Sequence, residues 1–133
     1  MMFQTKLFKQ AFLLLFVVGI LNLVGTELYL YWTLWWYDII LHFLSAGVVS
    51  LATIVFFRIF LGKRLSGQTL IKYAVFCALV VGIIWEIYEL YFEMTYLSDG
   101  MIYVTDTVSD LIMDIAGGLL GSIYAIRLVK NNE

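Results

Sequence analysis

The sequence predicts an all-α polytopic membrane protein: a four-transmembrane-helix bundle with both termini cytoplasmic. Three observations carry that expectation: the composition, the number of long apolar runs and the one-sided placement of basic residues. Hydrophobic residues make up 63% of the 133-residue chain and charged residues 14%, proline is absent, and the mean hydropathy is +0.96. A soluble domain is closer to half apolar and a quarter charged. Crossing the hydrocarbon of a bilayer takes roughly 20 apolar residues per helix. Four such runs can be drawn, over about 10–31, 36–61, 69–92 and 106–127, within a single transmembrane domain spanning 1–133.

The basic residues set the expected orientation, because Lys and Arg flanks stay cytoplasmic. Lys6 and Lys9 precede the first run, Arg58, Lys63, Arg64 and Lys72 surround the link between the second and third, and Arg127 and Lys130 follow the fourth. With four spans, all of them fall on one side. The acids sort the other way, with only Glu133 expected inside. The formal charge of −2 therefore hides an outer half full of carboxylates with no Lys or Arg to pair with. Repulsion in a low-dielectric setting calls for something positive there: a metal ion, shared protons or a cationic partner.

The first run, MMFQTKLFKQAFLLLFVVGILNLVG, mimics a signal peptide, but no small-x-small cleavage site follows and it is expected to stay as a span. Asn22 is read as an interhelical hydrogen-bonding amide, and Glu27 as a solvated residue or outer wall of a site. The connecting YWTLWWYD, with Trp32, Trp35, Trp36 and Tyr37, reads as an interfacial aromatic girdle.

The second run carries the only histidine. Asp38 and His42 are i and i+4 and share a face, with Ser45, Val49 and Ala52 continuing it inward. A carboxylate one turn from an imidazole can orient it or bind the same cation. On the third run Glu86, Glu89 and Glu93 share a face that Gly82 and Ala78 extend inward. Trp85 beside them reads as lipid-facing or core, with a wall of the site as the alternative, and Cys77, the only cysteine, as packing. The MTYLSDGMIYV connection has an Asp99-Gly100 turn signal that suits a small hairpin, a lid or a plain loop.

The fourth run is expected to start at Thr105 or Thr107, with Asp110 in a capping-box-like position. Its core is DTVSDLIMDIAGGLLG, in which Asp106, Asp110 and Asp114 recur every fourth residue. Capping explains one acid near a helix start, not three. An ionisable group inside a span costs roughly 2.5 kcal/mol or more and marks a functional site by default. Gly117 and Gly121 form a GxxxG that admits a neighbouring backbone. Counting about 1.5 Å per residue from the basic markers puts His42, Glu86 and Asp114 in one layer, about 20 to 24 Å away. Asp38, Glu89 and Asp110 form a second layer a turn higher.

The metal-ligand candidates are therefore His42, Glu86, Asp110, Asp114, Asp38 and Glu89, with Glu89 or Asp38 as a general base. Carboxylate ligands favour Mg, Ca or Mn, and the imidazole makes Zn, Mn or Fe plausible. Paired Glu-x-x-His motifs, Cys-rich zinc motifs, phosphate-binding glycine loops and nucleophile elbows are absent, and nothing points to nucleic acid.

Asp38-x-x-x-His42-Phe43 with Gly47 behind it, Glu86-Ile87-x-Glu89, and the Asp106, Asp110, Asp114, Gly117, Gly118, Gly121 series together resemble the VanZ-like and YjdF-like small bacterial membrane proteins over about residues 36–122. The acid-rich fourth helix is nearer the YjdF-like side. The resemblance implies a multi-pass protein of the bacterial cytoplasmic (inner) membrane and supplies no reaction. Three functions fit the residues. One is a metal-dependent hydrolase acting on a lipid or cell-envelope ligand at the outer leaflet of the lipid bilayer. Another is a proton- or cation-coupled transporter or sensor. The third is an accessory protein that holds a cationic antibiotic, peptide or partner.

Overall fold

A computed structural model of the protein describes residues 6–130. Among them the chain is helical, with no strand: α1 (Lys6–Glu27), α2 (Leu30–Thr33), α3 (Tyr37–Val55, prolonged by a π-helical stretch Phe56–Phe60), α4 (Gly67–Tyr91) and α5 (Met101–Lys130). Four helical stretches, Lys6–Glu27, Tyr37–Phe60, Gly67–Tyr91 and Met101–Lys130, are long and apolar enough to cross a membrane.

The helix ends differ from the sequence expectation in ways the local chemistry explains. The first helix stops at Glu27 instead of reaching Tyr31, because Tyr29 takes a left-handed conformation (φ 55°) and restarts the chain as α2. Ser66 caps α4, its hydroxyl accepting from the Thr69 backbone N–H at 3.2 Å. The last helix begins at Met101, not at Thr105 or Thr107. In place of a hairpin, a 3-10 turn Leu97–Asp99 leads to Gly100, whose φ of 61° makes the corner from which α5 grows. With the start moved back, the Thr105 hydroxyl donates to the Met101 carbonyl inside the helix, and no capping box forms. At 30 residues α5 is about 45 Å long. That exceeds a hydrocarbon core of about 30 Å, so the helix overhangs the core or crosses it at a tilt.

The central element is α3, which packs against α1, α4 and α5. Its closest neighbour is α5. A Cβ on Gly117 would run into the Phe43 carbonyl, Gly121 faces the Gly47 backbone, and the Ser50 hydroxyl donates to the Gly118 carbonyl at 2.7 Å. The small residues that meet α5 are thus Ala46, Gly47 and Ser50, and not the expected stripe of Ser45, Val49 and Ala52. A helix enclosed on three sides buries a wide arc, and Ala52 lies on the exposed remainder.

At the end of the bundle carrying the basic residues, Leu7, Leu51, Ile54, Val55, Leu70 and Ala125 close into an apolar core. Toward the other end, α1 joins the bundle through polar tyrosine contacts. The Tyr37 hydroxyl donates to the Leu21 carbonyl at 2.6 Å and the Tyr31 hydroxyl to Asn22 Oδ1 at 2.5 Å, while Gly25 lies under the Tyr37 ring. Asn22 therefore bonds to α2 instead of to a spanning helix. Tyr37 leaves the expected girdle for the interior, whereas Trp32, Trp35 and Trp36 are exposed. Apart from Leu7 and Gly25, α1 buries no residue, as befits a helix facing lipid on most sides.

Candidate functional site

Three helices, with α4 antiparallel to α3 and α5, bring their ionisable residues to one place. His42 comes from α3, Glu86 and Glu89 from α4, Asp110 and Asp114 from α5, and all five are only 1–6% exposed. Asp38, a turn before His42, borders them with a side chain 15% exposed. By contrast Asp106, Glu93, Asp99 and Glu27 are exposed. The convergence follows from the small residues below. A Cβ on Gly82 would collide with the Asp114 carboxylate, so the glycine is what lets that acid lie between α4 and α5 under the imidazole.

The two nitrogens of His42 have different surroundings. Nδ1 lies 3.1 Å from each Asp114 carboxylate oxygen. When Asp114 is ionised its carboxylate only accepts, so Nδ1 donates in that bond, and in the neutral imidazole the lone pair then lies on Nε2. Nε2 has no hydrogen-bond partner; it lies 3.8 Å from Asp38 Oδ1 and 3.7 Å from Glu86 Oε1, which are also unpartnered. Both oxygens of Asp110 are buried without a partner as well. One ligand atom each from Asp38, His42 and Asp110 lie within 4.8 Å of one another.

An unsatisfied buried polar atom is rare and costs about 1–3 kcal/mol. Here such atoms of Asp38, His42 and Asp110 converge, and the unpartnered Glu86 Oε1 lies 3.7 Å from Nε2. Ligands bound at about 2.1 Å in a tetrahedron lie about 3.4 Å apart. The Nε2–Asp38 spacing of 3.8 Å comes within a few tenths of that figure, and Asp110 completes the group within 4.8 Å.

Not all of the expected ligands share this volume. Asp114 sits on the opposite nitrogen, in the position of the carboxylate that orients a metal-binding histidine. Glu89 Oε1 accepts from the Trp85 indole N–H at 2.9 Å, one turn away on the same helix. Sequence reasoning missed Thr107, whose hydroxyl donates to Glu86 Oε2 at 2.7 Å and leaves Oε1 facing His42. Its spacing was a usable signal, since Thr107, Asp110 and Asp114 are i, i+3 and i+7 on one helix face. Outside the spans, burial first and then the charge of Asp38 push the Tyr31 phenol above its ordinary value of 10.0. Tyr31 thus remains a hydrogen-bond donor at the edge of the site.

Beside this cluster lies a cavity of about 220 Å³ between α1, α3 and α4. Asp38, His42 and Asp114 form its polar wall, and the remainder is mostly apolar.

Fold and site together define a class, a multi-pass α-helical membrane protein with a buried imidazole–carboxylate cluster near one end of its bundle. Over residues 1–131 the chain matches the family described as "Predicted membrane protein (DUF2238)", and it belongs to that family. The match bears on this membrane-protein family and not on the VanZ-like resemblance in particular. No curated protein and no solved structure matches the chain.

Proposed function

We propose that this is a divalent-cation-binding protein of the bacterial cytoplasmic membrane, related to the VanZ-like group, with its site toward the outer leaflet and both termini cytoplasmic. Asp38, His42 through Nε2, and Asp110 hold the ion, and Asp114 orients the imidazole. The observation that carries this reading is the set of buried, unpartnered atoms converging from three helices. A divalent ion satisfies them and offsets carboxylate charge that no Lys or Arg reaches. With one imidazole and carboxylates as donors, Zn, Mn and Fe fit best.

Three protein ligands with further room at the ion is the usual plan of a hydrolytic metal centre, in which the ion activates a water. Glu86, anchored at one oxygen by Thr107 and free at the other, is the base beside it, in place of the expected Glu89 or Asp38. The substrate is a lipid or cell-envelope molecule. Support for a site served from one side, and against a pathway for transport through one chain, comes from the packing toward the basic end. There Ile54, Leu70, Ala74 and Ala125 are fully buried and the helix backbones touch.

The test is elemental analysis of purified protein after exposure to Zn, Mn, Fe, Mg and Ca. One divalent ion per chain is expected in wild type and none in His42→Ala or Asp110→Asn. Folded wild type that holds no ion would overturn the reading. Turnover of lipid substrates that requires the ion distinguishes catalysis from cation storage or sensing.

A further inference from the structure

The cavity beside the cluster is divided chemically along its length. At the acidic end of the bundle it is bounded by Asn22, Tyr31, Asp38 and His42; deeper in, by Leu15, Val18 and Val81. Leu15 to Asn22 is about two turns of α1, on the order of 10 Å. The flanks are α1 and α4, which do not pack closely against each other. Because α1 is otherwise exposed to lipid, the gap between these flanks faces the bilayer. Gly19 lies midway along the cavity, and a Cβ built on it meets nothing within 4 Å. A volume of about 220 Å³ is larger than the roughly 150 Å³ apolar cavity that accepts benzene. A mostly apolar recess ending at a buried polar cluster matches an amphiphile, not a free ion or a peptide.

We propose that this cavity takes one hydrocarbon chain of a phosphate-headed amphiphile from the adjoining leaflet, placing its phosphate at the cation. The proposal rests on the cation reading above, and the ion is what makes an anionic head compatible with the surrounding carboxylates. The chain enters sideways between α1 and α4, so the substrate class is membrane lipid.

The test uses the full chain in nanodiscs with Trp32, Trp35 and Trp36 replaced by Phe, leaving Trp85 in the cavity wall as the sole tryptophan. Dodecyl phosphate brominated at its chain end is expected to quench Trp85 saturably in the presence of the divalent ion. Gly19→Leu fills the recess and is expected to raise the half-saturating concentration by about tenfold or more, equivalent to about 1.4 kcal/mol, while keeping wild-type metal content. Gly19→Ala, which adds one methyl, is expected to behave like wild type. Chelation is expected to weaken quenching by the phosphate and not by the corresponding bromododecanol. Quenching that Gly19→Leu leaves unchanged overturns the chain site. Equal loss of the phosphate and the alcohol on chelation overturns the placement of the head. Protein that holds no metal yet is quenched in a Gly19-sensitive way overturns the cation reading and supports the chain site alone.

Discussion

Asp114 holds His42 by Nδ1, with both carboxylate oxygens 3.1 Å from that nitrogen, and so turns Nε2 toward Asp38 and Glu86. The two residues are distant in sequence, on α3 and α5, and their pairing depends on Gly82 leaving room for the acid. Asp114→Asn is expected to weaken cation binding by about 10- to 100-fold without abolishing it, the usual loss for an orienting carboxylate. Metal competition titrations measure this. Complete loss of binding, as in His42→Ala, would instead make Asp114 a ligand.

Asp110 supplies a prediction whose sign depends on the ion. In chelated protein its two buried, unpartnered oxygens oppose folding. Asp110→Leu, which removes the polar oxygens, is then expected to stabilise by about 1–3 kcal/mol. In metal-loaded protein the same substitution removes a ligand and is expected to lower the melting temperature. Thermal unfolding with and without chelator reads both signs, and an equal shift in the two conditions would exclude a ligand role.

Glu86 and Thr107 separate binding from chemistry. Glu86→Gln is expected to keep the bound ion and to reduce turnover by about 100-fold or more, the usual contribution of a general base. Thr107→Val, which frees Glu86 Oε2, is expected to cause a smaller loss with the ion retained. Parallel metal analysis and turnover assays decide this; loss of the ion from Glu86→Gln would move that residue among the ligands.

Two of the tight glycine contacts, at Gly117 and Gly82, are expected to fail differently. In Gly117→Ala the new methyl meets the Phe43 carbonyl, which belongs to a buried helix backbone. Overpacking of this kind costs about 1–3 kcal/mol, measurable as a lower unfolding temperature. In Gly82→Ala the methyl displaces the Asp114 carboxylate, so the expected effect is weakened cation binding. Unchanged metal affinity in Gly82→Ala would show that Asp114 has another place to go.

Tyr31 gives an alkaline signature. Its phenol stands above the ordinary value of 10.0 in the folded chain, through burial and the nearby Asp38 charge. Between the unfolded and folded values the folded chain keeps a proton that the unfolded chain has lost. Its contribution to stability is therefore intact below pH of about 10 and declines as pH rises past that point. Ultraviolet titration is expected to show no phenolate from Tyr31 in folded protein near pH of about 10, so wild type and Tyr31→Phe give the same absorbance rise. A Tyr31-dependent rise there would contradict its burial.

The four spans were legible because membrane insertion is encoded locally, in runs of apolar residues long enough to cross hydrocarbon. The layer of His42, Glu86 and Asp114 was legible because helical rise converts sequence position into depth, and Gly117 with Gly121 already marked a close approach. The helix ends were less so. Tyr29 and Gly100 make corners through backbone conformations that composition does not specify, which is why the first helix ended early and the last began at Met101.

By itself, the sequence determined that the chain is a helical membrane protein and which helix faces carry acids. Periodicity fixes the face of a residue on its own helix, but not the atom it meets on another. Only tertiary structure decided that Asp114 takes Nδ1 while Asp38 and Glu86 flank Nε2, because that choice depends on how closely Gly82 and Gly117 let three helices approach. The cavity beside them was likewise decided by packing, since it is the space that α1 leaves by resting on α3 without closing against α4.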